Sequence, residues 1–421
     1  MQDILEAPDA KADMLDIPFG TQAYFSAPWR SLRRIAEVEP LFWSDALNGW
    51  IVTRHADVKA AYADRRLSAA RMDLYLRALP GDPKARFAEL VKYHSLSIAF
   101  MDQPGHLRVR TLMMKAFGRK QVEGLRPMIA AIIEDILDQA EETREFDFIK
   151  LVSANLPTRV IQGMLGVPRA MTGEFFALAA TIIRAMGSAQ PSEEMMAEAN
   201  AAVIRLNTIF ATLIEARRNA PTDDLLSLLV HARDADDRLN EDELLAACHT
   251  IIEAGAETTA HMLAVTANYV ATRPDLRALV ERDIDGALSV VDELLRFPGL
   301  VMGMTRIVRE PFEWHGKQLE AEQIVFMMNC SGNVDPAVFD NPEIIDPSRN
   351  NQASLSFGPG LHHCIGHFLA RSELSEFLHA AFTRFDIEVL QPEIRFINSY
   401  VFRGYEELQV RVTPKLEGAG A

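Results

Sequence analysis

The sequence predicts a mainly α-helical fold with small β-sheets to one side and a long central helix. Three observations carry this. From about Gly105 to Phe297 apolar residues recur three and four apart, as in Met128, Ile129, Ile132, Ile133 and Ile136, and again in Leu225, Leu226, Leu228 and Leu229. From Pro298 to Ser356 the texture changes to short apolar runs broken by Pro, Gly and Asn, and helical periodicity returns at Ile365–Phe382. No linker, repeat or low-complexity tract divides the 421 residues, so residues 1–421 read as one domain.

Within that domain the helix-rich parts are expected at about 90–300 and 350–385. The β-rich parts are expected at about 30–55, 300–330 and 385–413. Leu41-Phe42-Trp43 and Trp50-Ile51-Val52-Thr53 flank Asn48-Gly49, which predicts a hairpin. Leu408, Val410 and Val412 alternate as in a strand.

Composition narrows the function. Apolar residues make up 48%, which suits a large core. The formal net charge is −16, whereas a nucleic-acid binder needs a basic surface. Three cysteines, Cys248, Cys330 and Cys364, give no disulfide framework and suit a reducing compartment. No apolar run reaches the roughly 18 residues that span a bilayer. The first 20 residues lack a secretion signal, so a cytoplasmic protein is expected.

The central helix opens at Asn240, an N-cap followed by Glu241-Asp242-Glu243, and stops at Arg273-Pro274. That is about 33 residues, or roughly 50 Å at 1.5 Å per residue. Its middle breaks local rules. Ala254-Gly255-Ala256-Glu257-Thr258-Thr259 places a helix-weakening glycine, a carboxyl and hydroxyls among apolar neighbours. A groove where a small molecule meets groups placed for proton transfer is one reading. A tolerated glycine and a solvent-facing glutamate is the other.

The richest segment is Phe357-Gly358-Pro359-Gly360-Leu361-His362-His363-Cys364-Ile365-Gly366. A Gly/Pro turn leads into a helix expected to start near Ile365. Cys364 then sits at a helix N-terminus, where the dipole and free N–H groups favour a thiolate. A thiolate is a good iron ligand, and Gly366 lets backbone approach a flat macrocycle closely. A zinc site from His362, His363, Cys364 and His367 lacks the usual paired spacing. A cysteine nucleophile has no recognised local signature here. Cys248 and Cys330 read as buried small hydrophobes.

The cysteine segment resembles the haem-ligand loop of the cytochrome P450 family, matching at Phe357, Gly360, His362, Cys364 and Gly366. The central-helix segment is similar to the family's oxygen-activation motif at Ala254, Gly255, Glu257 and Thr258. Glu293-Leu294-Leu295-Arg296 resembles the family's Glu-x-x-Arg helix. Together with the Asp335-Pro336 to Asp346 stretch, the likeness covers nearly the whole chain.

The resemblance implies a haem b (iron protoporphyrin IX) ligated by Cys364. It implies that His106, Arg110, Arg306 and His362 hold the haem propionates. Thr258 would hold the distal oxygen by hydrogen bonding, and Glu257 would relay protons. The implied reaction uses dioxygen and two electrons from a ferredoxin or flavodoxin with its reductase. One oxygen atom enters a small apolar organic substrate, by hydroxylation as the default. Pocket walls are expected from the loop before Asp102, from Ala254, from Leu300-Val301-Met302-Gly303 and from Tyr400-Val401-Phe402. A monomer is expected. A peroxide-using haem-thiolate enzyme, a haem sensor and a zinc hydrolase are the alternatives.

Two finer expectations follow. His106 and Arg110 share a helix face with Met113 and Phe117. Arg108, Lys115 and Arg119 fall opposite, where they form either a basic patch for an acidic electron donor or an ordinary solvated face. The family usually adds an arginine from the meander to the Glu-x-x-Arg pair. Here Ile344 stands in its place, which leaves Arg349 as a candidate.

Overall fold

The computed structural model describes residues 17–188, 191–235 and 237–415. The expectation about the first residues therefore lies largely outside the described part. Ten helices position the site: α1 (Pro28–Val38), α2 (Ala88–Ser95), α3 (Gly105–Ala116), α4 (Arg119–Thr143), α5 (Asn155–Met164), α6 (Thr172–Gly187), α7 (Glu193–Asn219), α8 (Glu241–Thr272), α9 (Ile284–Leu294) and α10 (His367–Arg384). One apolar core runs from Ile17 to Val412.

The central helix α8 spans 32 residues. Asn240 and Glu243 form a reciprocal capping box at its start, and Pro274 opens a new helix after Arg273. Its middle is thin. A Cβ at Gly255 would lie 2.7 Å from Ile161 Cδ1 on α5, so a larger residue here would have to push that side chain aside.

A five-stranded sheet has the order β1-β2-β5-β4-β3, from Leu41–Ser44, Gly49–Val52, Met304–Val308 as β4, Ile324–Met327 as β5, and Leu67–Ser68 as β3. Only the β2–β5 pair is parallel. The hairpin β1–β2 is present, with Leu41 opposite Val52 and Ser44 opposite Gly49. Its turn differs from the expected two-residue form. Residues 45–48 make the loop, with Asn48 at φ 47°, while Gly49 belongs to the strand. A Cβ on Gly49 would press on Phe326 and the Ile324 carbonyl.

Three expected boundaries shift. Residues 28–38 are helix rather than strand, because Pro28 opens the first turn and Trp29, Leu32 and Ile35 bury one face. Residues 350–366 are mostly loop, and helix begins at His367. In the last segment only Phe385–Val389 and Gln409–Pro414 are strands.

The Glu293–Arg296 pair is fully buried. Arg296 Nε and Nη2 donate to the two Glu293 oxygens at 3.0 and 2.6 Å, and Nη1 donates to the Asn333 and Pro342 carbonyls at 2.8 and 2.7 Å. The third member of the network is Arg349, whose Nε lies 3.3 Å from Glu293 Oε1. Ile344 itself is 60% exposed and contributes only its carbonyl. Removing one partner of a buried pair strands a charge, at about 3–5 kcal/mol. Arg296→Met is therefore expected to lower unfolding stability by that order, measured by chemical denaturation. Arg349→Met leaves the bidentate pair intact and is expected to cost clearly less.

Candidate active site

A cavity of about 700 Å³ lies between α8, the cysteine loop and the B-rich side formed by β4 and the 397–402 segment. Four chain segments, far apart in sequence, supply its chemistry.

The first is the cysteine loop. Gly358 and Gly360 have φ of 68° and 72°, the left-handed region that glycine adopts freely. The Cys364 N–H donates to the Phe357 carbonyl at 2.8 Å and closes the loop. Phe357, Cys364 and Gly366 line the cavity, while Gly360 shapes the turn behind it. Open space surrounds Gly366 on its Cβ side. Burial pushes the Cys364 thiol up, while the Gly366 N–H, Arg110 and Arg371 pull it down. Burial wins on the protein's groups alone; a bound metal cation reverses this, because a coordinating thiol is deprotonated outright.

The second is α3. His106, Arg110, Met113 and Phe117 all line the cavity, as their common face requires. Arg306 from β4 and His362 from the loop join them. The His106 and His362 rings lie 4.0 Å apart. His106 is buried, and its Nε2 has no partner among the described residues. Arg71, which sequence reasoning missed, is a fifth basic group at this wall. It donates to the Ala69 and Ala99 carbonyls at 3.0 and 2.7 Å.

These groups depress one another. Burial first, then Arg110 and Arg306, push His106 down to about 4. Burial, then Arg306 and His106, push His362 down to about 3. Burial and Arg71 bring Arg306 down to about 10. Three arginines and two neutral imidazoles at one wall of a cavity, with an orphaned His106 ring nitrogen among them, suit a ligand carrying carboxylates.

The third segment is the middle of α8. Ala254, Gly255, Glu257, Thr258 and Thr259 all border the cavity. The Thr258 hydroxyl donates back to the Ala254 carbonyl at 2.6 Å. Glu257 Oε1 is 3.7 Å from His261 Nε2, one turn on. Among the described residues no group of three or more His, Cys, Asp and Glu side chains could hold a metal ion by itself. The zinc reading also fails on geometry: His362 packs on His106, whereas His363 packs on His367 at 4.7 Å.

A thiol, a basic clamp and a Glu-Thr break now face one cavity in one chain. A family model described as Cytochrome P450 matches residues 76–403. The chain belongs to the cytochrome P450 family. It is 34% identical over 383 residues to nocardicin C N-oxygenase of Nocardia uniformis subsp. tsuyamanensis, covering 89% of this chain and 92% of that protein. It is 31% identical over 399 residues to 6-deoxyerythronolide B hydroxylase of Saccharopolyspora erythraea, covering 91% and 95%. Among solved structures, an epothilone D-bound cytochrome P450 superposes with a TM-score of 0.85 at 27% identity, over 95% of this chain and 100% of that one. This P450 is a monooxygenase, and membership implies a haem cofactor. No described helix is long and apolar enough to cross a membrane.

Of the expected substrate walls, Ala254, Val301, Val401 and Phe402 line the cavity. Met302 does not. Its backbone N–H donates to the Val401 carbonyl at 2.8 Å, and its side chain is 1% exposed within the core. Leu300 and Val301 take the cavity and Met302 the interior. Met304, two residues on, lines the cavity instead.

Of the two readings of the Arg108, Lys115 and Arg119 face, the ion pairs support the ordinary solvated one. Arg108 is paired with Asp237 and Glu243, Lys115 with Asp234, and Arg119 with Glu123. Each cation is neutralised by an acid that folding brings alongside, so the face carries little excess positive charge.

Glu373 on α10 was not foreseen. It borders the cavity, is 1% exposed, and its Oε2 has no partner among the described residues. Burial, then Glu376, raise it from 4.5 to about 8. The acid stays protonated in the fold but ionises near 4.5 once unfolded. The fold therefore loses stability as pH rises from 4.5 towards 8. Glu373→Gln, which mimics the neutral acid, is expected to be stabilised relative to the parent by on the order of a few kcal/mol at pH 8 and little at pH 5. Thermal unfolding at both values tests this; an equal difference at the two would refute it.

Proposed function

We propose that this P450 binds haem b, which Cys364 would hold through its thiolate, takes two electrons from a ferredoxin or flavodoxin, and hydroxylates a small apolar organic molecule. One atom of dioxygen enters the substrate, and the other leaves as water with two protons. The observation that carries the reading is that Cys364 and the Glu257–Thr258 break face the same cavity, one wall of which holds Arg71, Arg110, Arg306, His362 and the unpartnered Nε2 of His106.

Haem bound by a thiolate supplies the oxygen-activating chemistry, with the sulfur pushing electron density toward O–O cleavage. The protein's groups do the rest. Arg110, Arg306, His106 and His362 would hold the propionates, and Arg71 would add to their field. The Thr258 hydroxyl spends its hydrogen on the Ala254 carbonyl, so its lone pairs face the cavity as acceptors. Glu257 is 27% exposed and has His261 beside it, which suits a carboxylate that carries protons inward. Ala254, Val301, Val401 and Phe402 exclude water from the reacting end of the substrate. A large, mostly apolar wall supports an apolar substrate, as does the likeness to enzymes named for hydroxylation of organic products. Neutralisation of Arg108, Lys115 and Arg119 leaves a docking role for that face without electrostatic support.

The reduced protein exposed to carbon monoxide is expected to show the strongly red-shifted Soret band of thiolate ligation, and Cys364→Ala is expected to lose it. A colourless protein that takes up no haem, or a band typical of histidine ligation, would overturn the reading. Thr258→Ala is expected to keep the parent's band and ligand affinity but to divert electrons to peroxide. Electron-donor consumption against product formed measures this, and full coupling in the variant would remove Thr258 from the mechanism.

A further inference from the structure

The cavity wall beyond Ala254 carries a charged pair that the chemistry above does not use. Glu253 lies on α8, four residues from Glu257 and so about 6 Å along the axis. Its Oε2 is 2.9 Å from His94 Nε2 on α2. The other ring nitrogen of His94, Nδ1, is 2.9 Å from the Leu90 carbonyl. A carbonyl only accepts, so Nδ1 bears a proton. A carboxylate also only accepts, so Nε2 bears one too. Burial works against charge on this ring, but Glu253 and the Leu90 carbonyl outweigh it and hold its pKa above the ordinary value.

The pair is oriented. His94 is 2% exposed and lies behind the wall, whereas Glu253 is 21% exposed and lines the cavity. Pinning α2 to α8 needs only Oε2. Among the described residues Oε1 accepts no hydrogen bond. Neither nearby cation bonds it: Arg184 pairs with Glu198 at 2.9 Å, and Arg71 Nη1 donates to the Ala69 and Ala99 carbonyls. The cavity this acceptor borders is largely apolar, with Ile98, Phe100, Met186, Met195 and Val301 in its lining, and the Tyr75 phenol is close enough to feel the Glu253 charge. A carboxylate oxygen at the wall of an apolar cavity gains most from a donor on the ligand and repels an anion.

We propose that Glu253 is the polar anchor of the substrate site, taking the hydroxyl or protonated amino group of an otherwise apolar molecule and disfavouring substrates that end in a carboxylate. This rests on the monooxygenase reading above. It names the substrate class: an apolar skeleton with a hydrogen-bond donor at the end remote from the oxidised carbon.

The test uses the haem-loaded protein and three probes of equal chain length below their micellar concentrations: dodecylguanidinium, dodecanol and dodecanoate. A guanidinium replaces an amine because a free amine can ligate iron. Affinities are read by calorimetry at pH 7. The better donor probe is expected to bind at least tenfold more tightly than dodecanoate. Whether the guanidinium or the alcohol leads decides between a cationic and a neutral donor, and either supports the anchor. Glu253→Gln is expected to weaken that probe at least tenfold and to narrow the gap to dodecanoate. Equal affinities in the parent, or dodecanoate binding best, would overturn the proposal, and the parent comparison stands even if the variant fails to fold. An equal loss for all three probes in the variant would assign Glu253 a purely structural role and overturn it as well. The carbon monoxide band of the same preparation reports separately on the thiolate site, so its absence would count against that reading and not against the anchor.

Discussion

The site hangs on the buried Glu293–Arg296 pair. Two opposite charges without solvent exposure are tolerable only when every donor and acceptor is used. Satisfying them recruits backbone from far along the chain. Arg296 takes the Asn333 and Pro342 carbonyls, and Glu293 takes the Asp346 N–H at 3.0 Å and Arg349. Asn333 then bonds the Leu355 N–H and the Ser356 hydroxyl at 2.7 and 3.1 Å, and Ser356 returns to the Leu295 carbonyl at 2.6 Å. This chain of bonds ends at Phe357, where the cysteine loop begins. An irregular segment of more than thirty residues thus delivers Cys364 to a fixed place because a charge pair elsewhere demands its backbone.

The cavity's second constraint is electrostatic. The protein is acidic overall, with a net charge of −16, yet five basic side chains converge on one wall. Nearly every surface arginine has found a carboxylate, as Arg108, Arg119 and Arg384 show. His106, Arg306 and His362 have none; burial first, and then neighbouring arginines, lower their proton affinity. Arginine charge without a carboxylate in a buried wall is costly to keep, and its place beside the thiol ties the cost to ligand binding.

Glycine and side-chain packing explain the finer geometry. Gly255 thins α8 where α5 crosses it, so the hydroxyl and carboxyl of the next turn meet open space rather than packed side chains. Along the 300–304 segment Leu300, Val301 and Met304 line the cavity, whereas Met302 is packed in the core.

The sequence by itself determined the elements whose signals are local. The capping box and Pro274 bounded α8, the common face of α3 placed His106 and Arg110 together, and the Gly/Pro-rich loop marked Cys364. The helix at Pro28–Val38 was also legible in the spacing of Trp29, Leu32 and Ile35, although the neighbouring strands obscured it. Tertiary structure decided what depends on partners remote in sequence. Asp234, Asp237 and Glu243 cancelled the basic face of α3, Arg349 replaced the expected meander arginine, and burial turned Glu373 into a neutral acid. The reason is physical. Helix caps and periodic faces are set within a few residues, whereas a charge's partner and a side chain's burial depend on which distant segments the fold brings within a few ångströms.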